Sequence, residues 1–221
     1  MRAKRPAAKK GREPRADAQE ILRGRIMGAA FRLLSERGYA GTNTLEIARR
    51  AKVSKRELYA LFGSKHGIVL QMVAMGASRM QLPLRLPEWH GRREFAALLV
   101  RFGATSLREI TSPMVTAFYR LAITEAERST EIAQALDTAG RQSTRELLVE
   151  LMQRAQTEGH IGHGDPAILA GDYAALLWRD LLVRVLLRVV KPPTEAEAEV
   201  RARAATDAFL ALHPPGAGTA D

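Results

Sequence analysis

Four side chains late in the first third, Ser54, Lys55, Arg56 and Tyr59, stand where a helical period turns them outward together. Their donors suit phosphate oxygens, and arginine also matches the paired acceptors on the guanine edge of the major groove. The amino ends of helices beginning near Thr42 and Ser64 add free N–H groups that attract phosphate, and Lys65 adds a charge. The chemistry open to this set is recognition of double-stranded DNA. Solvated cations on short helices are common in all-α proteins that never meet DNA, so periodicity alone leaves that plain reading open.

Other chemistry finds little support. His160, His163 and Asp165 are close in sequence but lie in a glycine-containing loop without a fourth ligand, so no metal is expected. The string from Gly162 to Ala167 matches GxGxxA, yet no strand precedes it and Pro166 opens a helix; it is a chance match. Glu125 and Glu127, two apart, do not face each other on a helix and read as a charged face. There is no nucleophile elbow, P-loop or HExxH, so no enzyme and no cofactor are expected.

Elements that could position the DNA-facing set follow from apolar spacing. Ile21, Ile26, Ala29, Ala30, Leu33 and Leu34 form a stripe that stops at Gly38. Asn43 with Glu46, and Ser54 with Glu57, have capping-box spacing. The turn at Ala51-Lys52-Val53 would set one short helix across the next. Ile26, Ala30, Leu34, Ile47, Ala48, Val53, Leu58 and Phe62 would then make the core of a three-helix unit. Beyond it, helices are expected over about 64–80, 92–111, 113–128, 130–158, 165–190 and 194–212, with Gly140 marking a kink or break. Ser112-Pro113 and Asp165-Pro166 pair a cap with proline in the first turn. No alternating strand pattern occurs, so the fold class is all-α with about nine helices. The domains are a disordered basic arm (1–16), a helix-turn-helix domain (17–64, the motif itself about 44–63), a larger helical domain (65–213) and a disordered tail (214–221).

Bulk properties agree. A net charge of +10 over 221 residues favours a polyanionic partner. Zero cysteines remove disulfides and thiol chemistry. The most hydrophobic stretch, 174–190, carries Arg179, Asp180, Arg184 and Arg188, which forbids a membrane span. The expected location is the cytoplasm, on the nucleoid when bound to DNA.

The order of residues from Ala29 to Lys65 resembles the amino-terminal domain of the TetR family of bacterial transcriptional repressors. The matches are Ala29-Ala30, Leu33-Leu34, Glu36, Gly38-Tyr39, Thr42, Ile47-Ala48, Ala51, Val53-Ser54-Lys55, Leu58-Tyr59, Phe62 and Ser64-Lys65, without a gap. The resemblance implies a homodimer reading a palindromic operator and released by an inducer, with Thr42, Ser54, Lys55, Tyr59 and Lys65 at positions that touch DNA or lie beside it. With Asn43, Thr44 and Arg56 these make the candidate DNA-binding set. Lys52 stands where the family usually has glycine, so that position keeps a negative φ or tolerates strain. Arg56 replaces a smaller residue and looks like a specificity determinant.

Ala117 to Leu121, Thr124 to Arg128, the turn at 158–161 and Asp165-Pro166 resemble the carboxy-terminal domain of the AefR-like branch, although Ser129-Thr130 replaces a Phe-Pro pair common there. That implies a pocket for a small apolar or amphipathic inducer. Candidate lining residues are Met72, Met75, Trp89, Phe95, Phe102, Phe118, Leu121 and Trp178, although residues of these types more often belong to the core than to a pocket wall. Leu176, Leu177, Leu181, Leu186 and Val190 exceed what one core-facing side needs and mark a dimer surface. Partners are therefore operator DNA, a second copy and the inducer, with no membrane. A non-specific or architectural DNA-binding protein and an all-α enzyme with an apolar cavity are the alternatives.

Overall fold

Apolar residues recurring every three or four positions are buried only when the chain coils, and among the described residues it forms eleven α-helices and no strand. The computed structural model describes residues 14–85, 89–128 and 130–215. Residues 14–16 of the expected basic arm are already helical. The rest of that arm, Pro87, Ser129 and the tail from 216 lie outside the described residues. In chain order the elements are α1 (Pro14–Arg37), α2 (Thr44–Ala51), α3 (Lys55–Phe62), α4 (Lys65–Arg85), α5 (Arg92–Ile110), α6 (Pro113–Thr124), α7 (Glu131–Ala135), a π-helical segment (Leu136–Gln142), α8 (Ser143–Thr157), α9 (Pro166–Trp178), α10 (Leu181–Leu186) and α11 (Glu195–Leu212). The chain divides into two compact units, with the boundary after Ile68.

The first unit is built on the expected stripe. Ile26, Ala29, Ala30, Leu33 and Leu34 of α1 are buried with Ile47, Ala48, Leu58 and Phe62. Ile21, placed on the same stripe by its spacing, is exposed, and Val53 is only half-buried.

The second unit centres on α5, α9 and α11. Ala198, Ala202 and Ala205 sit at four- and three-residue spacing on α11, all buried, and their small size lets α5 come close. Tyr173 on α9 is fully buried, meets the Phe209 ring edge-on at 5.7 Å, and donates its hydroxyl to the Leu99 carbonyl at 2.6 Å. Burying such a side chain stabilises by about 1.5–3 kcal/mol. Gly103, one turn beyond Leu99, makes room: a Cβ there would lie 2.5 Å from the Tyr173 hydroxyl and 3.0 Å from Ala202.

Two of the expected rods are interrupted, the first at the glycine where a kink or break is expected. The rod over 131–157 slips at Leu136–Gln142 into a π turn, with Gly140 inside it, so the break read at that glycine is a change of hydrogen-bond register. The rod expected over 165–190 stops at Trp178, because Arg179 takes a positive φ of 43° and Arg201 of α11 donates to the Leu177 and Trp178 carbonyls at 2.7 and 2.8 Å. Arg188 takes a positive φ again, so nothing helical continues to Val190.

The same interruptions sort the expected dimer set. Leu177 is buried in the core, and Leu176, Leu181, Leu186 and Val190 are half-buried. The exposed apolar side chains of this region are their neighbours Ile168, Val183, Leu187, Val189 and Val200.

Gly103→Ala tests the close packing through the sign of its effect. In an open helix the change would stabilise by up to about 1 kcal/mol, but here the methyl group displaces the Tyr173 hydroxyl. The expected outcome is a loss of about 1–3 kcal/mol in urea denaturation.

Candidate nucleic-acid interface and ligand cavity

Helices of eight residues such as α2 and α3 do not hold themselves in water, so their surroundings must fix both ends. At the amino ends, side-chain caps do so. Asn43 Oδ1 accepts from the Glu46 N–H at 2.9 Å. Ser54 and Glu57 form a full capping box, with bonds of 3.1 and 2.7 Å. The Ser54 hydroxyl and then its backbone N–H hold the Glu57 carboxyl below its ordinary value of 4.5.

At the carboxyl ends, α1 supplies the cations. Arg25 donates to the Ala51 and Lys52 carbonyls at 2.5 and 2.8 Å. Arg23 reaches the Leu61 carbonyl at 3.5 Å and lies over the Phe62 ring. Lys52 closes α2 in the left-handed conformation, φ 54° and ψ 49°, with the Val53 N–H bonded back to the Ala48 carbonyl at 3.0 Å. Of the two options open at this position, the chain takes the strained one, at a cost of about 1–2 kcal/mol relative to an ordinary helical φ. Exposed ion pairs, Arg50 with Glu36 and Arg37 with Glu46, also join α1 to α2.

This frame leaves Ser54, Lys55, Arg56 and Tyr59 exposed at the start of α3, as their spacing predicts. The Tyr59 hydroxyl lies 3.0 Å from the Thr44 hydroxyl, and the Lys55 ammonium lies 5.6 Å from the Tyr59 ring centre. Those contacts join the amino ends of α2 and α3 into one face. Asn43 is exposed on the same side of the cap and Thr44 is half-buried.

Two members of the candidate set have other duties. Thr42 is 2% exposed and its hydroxyl donates to the Gly38 carbonyl at 2.8 Å, so it shapes the loop and presents no group outward. Lys65 is half-buried, with its ammonium on the Tyr39 and Thr42 carbonyls at 2.5 and 2.9 Å and 3.9 Å from the Tyr39 ring centre. It is a pin for that loop, a role that charge alone did not reveal. Gly41 and Gly67 allow the tight path here, since a Cβ at either would strike the Arg37 or Phe62 carbonyl. The arginines of α1 are the functional supports that sequence reasoning missed; nothing in their local spacing marks them as caps for helices 26 and 38 residues away.

The second unit holds a cavity of about 380 Å³. Met72, Phe102, Phe118 and Trp178 line it, as expected. Trp89 and Phe95 instead belong to the solid core, Trp89 beneath the Arg154 guanidinium at 3.8 Å, and Met75 and Leu121 are half-buried elsewhere. The π segment forms part of the wall through Leu136, Gly140 and Arg141. Away from the cavity, His160 stacks on Phe95 and lies 3.2 Å from Glu158, while Asp165 caps α9. Glu125 is buried, not on a charged face. Among the described residues no helix is long and apolar enough to cross a membrane.

Comparison with known proteins adds an independent line. A family model described as bacterial regulatory proteins of the tetR family matches residues 26–72. A second, described as the carboxy-terminal domain of AefR-like transcriptional repressors, matches residues 97–213. The chain is 26% identical to the HTH-type transcriptional regulator YvkB of Bacillus subtilis (strain 168), over 79% of this chain and 90% of the relative. It is 28% identical to the HTH-type transcriptional regulator BetI of Rhizobium meliloti (strain 1021), over 72% of this chain and 80% of the relative. A crystal structure of a TetR transcriptional regulator from Agrobacterium tumefaciens is similar with a TM-score of 0.70 at 26% identity, covering 91% of this chain and 95% of that one.

Two outcomes check the frame. Lys65→Ala should lower stability by roughly 1–2 kcal/mol in chemical denaturation even without DNA, since two carbonyls lose their cation. The Glu57 cap should be sensitive to acid. Its folded pKa lies below the ordinary 4.5, so its contribution is complete above that value and is lost as pH falls through the lowered one. Melting of the wild type against Glu57→Gln should therefore show a gap that closes as the buffer is taken from neutral into the carboxylate range.

Proposed function

The chain belongs to the TetR family of bacterial transcriptional regulators, and on that premise we propose that it is a homodimeric repressor that binds a palindromic operator and leaves it when a small inducer binds. The observation that carries this reading is the outward cluster Ser54, Lys55, Arg56 and Tyr59 on a helix held at both ends. In the major groove Arg56 would reach base edges, while Lys55, Ser54 and Tyr59 would meet phosphates or flanking bases, with Asn43 and Thr44 beside them. Thr42 and Lys65 keep this face in place and are no longer assigned direct contacts.

Two copies would present two such faces about 34 Å apart, one helical turn of DNA, or a multiple of it. The exposed apolar residues Ile168, Val183, Leu187, Val189 and Val200 support an isologous contact through α9 to α11. The cavity supports a ligand. If it binds better in an arrangement that does not fit the operator, linkage requires it to weaken operator affinity by the same factor. Helix α4 is the proposed lever. It carries Lys65, bonded to the Tyr39–Thr42 loop, and also Met72, Val73, Gly76, Ala77 and Met80, which line the cavity. The working place of such a repressor is the cytoplasm, on the nucleoid when bound.

Selection of bound duplexes from a random pool tests the reading. A two-fold symmetric consensus is the expected product; salt-sensitive binding without sequence preference would instead make this an architectural DNA-binding protein. On the selected site, Arg56→Ala should lose about 1–3 kcal/mol of discrimination at one base position per half-site. Equal loss on selected and scrambled duplexes would remove Arg56 as a base reader.

A further inference from the structure

The polar groups on the cavity wall fall into two kinds. The charged ones are answered by neighbours or water: Glu109 faces Arg79 at 3.7 Å, Arg141 binds Asp137 at 2.6 Å, and Arg145 is solvent-exposed. The neutral ones are not. Ser106 is 3% exposed, and neither its hydroxyl nor that of Thr144 has a hydrogen-bond partner in the protein, although both are shielded from solvent.

Such hydroxyls on a helix ordinarily donate to the carbonyl four residues earlier. Thr111, Thr116, Thr124, Thr138, Ser143 and Thr157 all do so in this unit. Ser106, Thr144 and the fully buried Thr206 break that habit, and the first two line the cavity. A buried hydroxyl without a partner is unfavourable until something completes it. Tyr119 adds a third neutral group, because burial pushes its phenol pKa up, away from ionisation.

The remaining wall is ring and thioether: Phe102, Phe118, Trp178, Met72 and Met80 suit a flat apolar body. The volume, about 380 Å³, falls within the range of small-molecule sites. The π turn on the wall is a further sign, since such turns are rare and frequent at functional sites.

We infer that the cavity takes an uncharged, ring-built compound bearing hydroxyl or carbonyl oxygen, and that Ser106 and Thr144 each supply a hydroxyl to which such oxygen can bond. The inference deepens the inducer reading above and rests on it only for the consequence at DNA. Recognition lies in the neutral hydroxyls; the arginines at the wall are not the determinant.

Calorimetric titration of the full chain with naphthalene, 2-naphthol, 2-naphthoate and 2-naphthylmethylammonium tests it at neutral pH. The neutral phenol should bind at least tenfold more tightly than the hydrocarbon and than either ion. Ser106→Ala and Thr144→Val should each weaken 2-naphthol several-fold and leave naphthalene within twofold. Equal affinity for naphthalene and 2-naphthol, preference for an ion, no binding by any probe, or variants that bind 2-naphthol as the wild type does would each overturn the assignment. Should one variant fail to fold, the other and the wild-type ranking still decide. Binding of 2-naphthol through these hydroxyls without any change in operator affinity would uphold the cavity assignment and remove the release mechanism instead.

Discussion

An α-helix ends with carbonyls that its own backbone cannot satisfy, and in this protein arginines from neighbouring helices take them. Arg25 and Arg23 close α2 and α3, Arg201 closes α9, Arg120 holds the Val185 and Leu186 carbonyls at the end of α10, and Arg92 reaches Leu210 near the end of α11. The guanidinium suits this task because its planar fork meets two carbonyls at once and stays charged. Each bond joins elements distant in sequence, so the same contact ends a helix and sets its position against another. In the first unit these bonds act together with the side-chain caps at the amino ends of α2 and α3.

That use of arginine changes the meaning of the net charge of +10. Part of the basic surplus is structural, spent on carbonyls before any polyanion arrives. Lys65 belongs to this group, and Arg37 and Arg50 are occupied by carboxylates. Lys55 and Arg56 stand at the amino end of α3 with their side chains exposed beside Ser54 and Tyr59. Composition counts these residues alike; only their geometry separates supports from contacts.

The fold was largely legible in the sequence because its signals are local. Capping boxes at Ser54 and Thr194, cap-proline pairs at Ser112 and Asp165, and the stripe from Ile26 to Leu34 act within a turn or two of helix. The misreadings arose where distant residues decide. Lys65 looked available because nothing near it in sequence showed that the Tyr39 and Thr42 carbonyls, 26 and 23 residues away, take its ammonium. The helix expected to reach Val190 stops at Trp178, where Arg201 meets its last carbonyls. Cavity and core use the same apolar residue types, so Phe95 and Phe102 could not be told apart until their neighbours were known. Lys52 shows the opposite limit: its motif marked the turn, but only tertiary contacts, Arg25 above all, explain why a lysine is held at positive φ.

The placement of the two tryptophans has an optical consequence. Trp89 is buried under a guanidinium within solid core, whereas Trp178 borders the cavity. Emission from the first should be insensitive to what occupies the cavity, and emission from the second should follow it. The molecule thus contains an internal reference and a reporter of the same chromophore, and replacing Trp89 by phenylalanine would leave the reporter to glow alone.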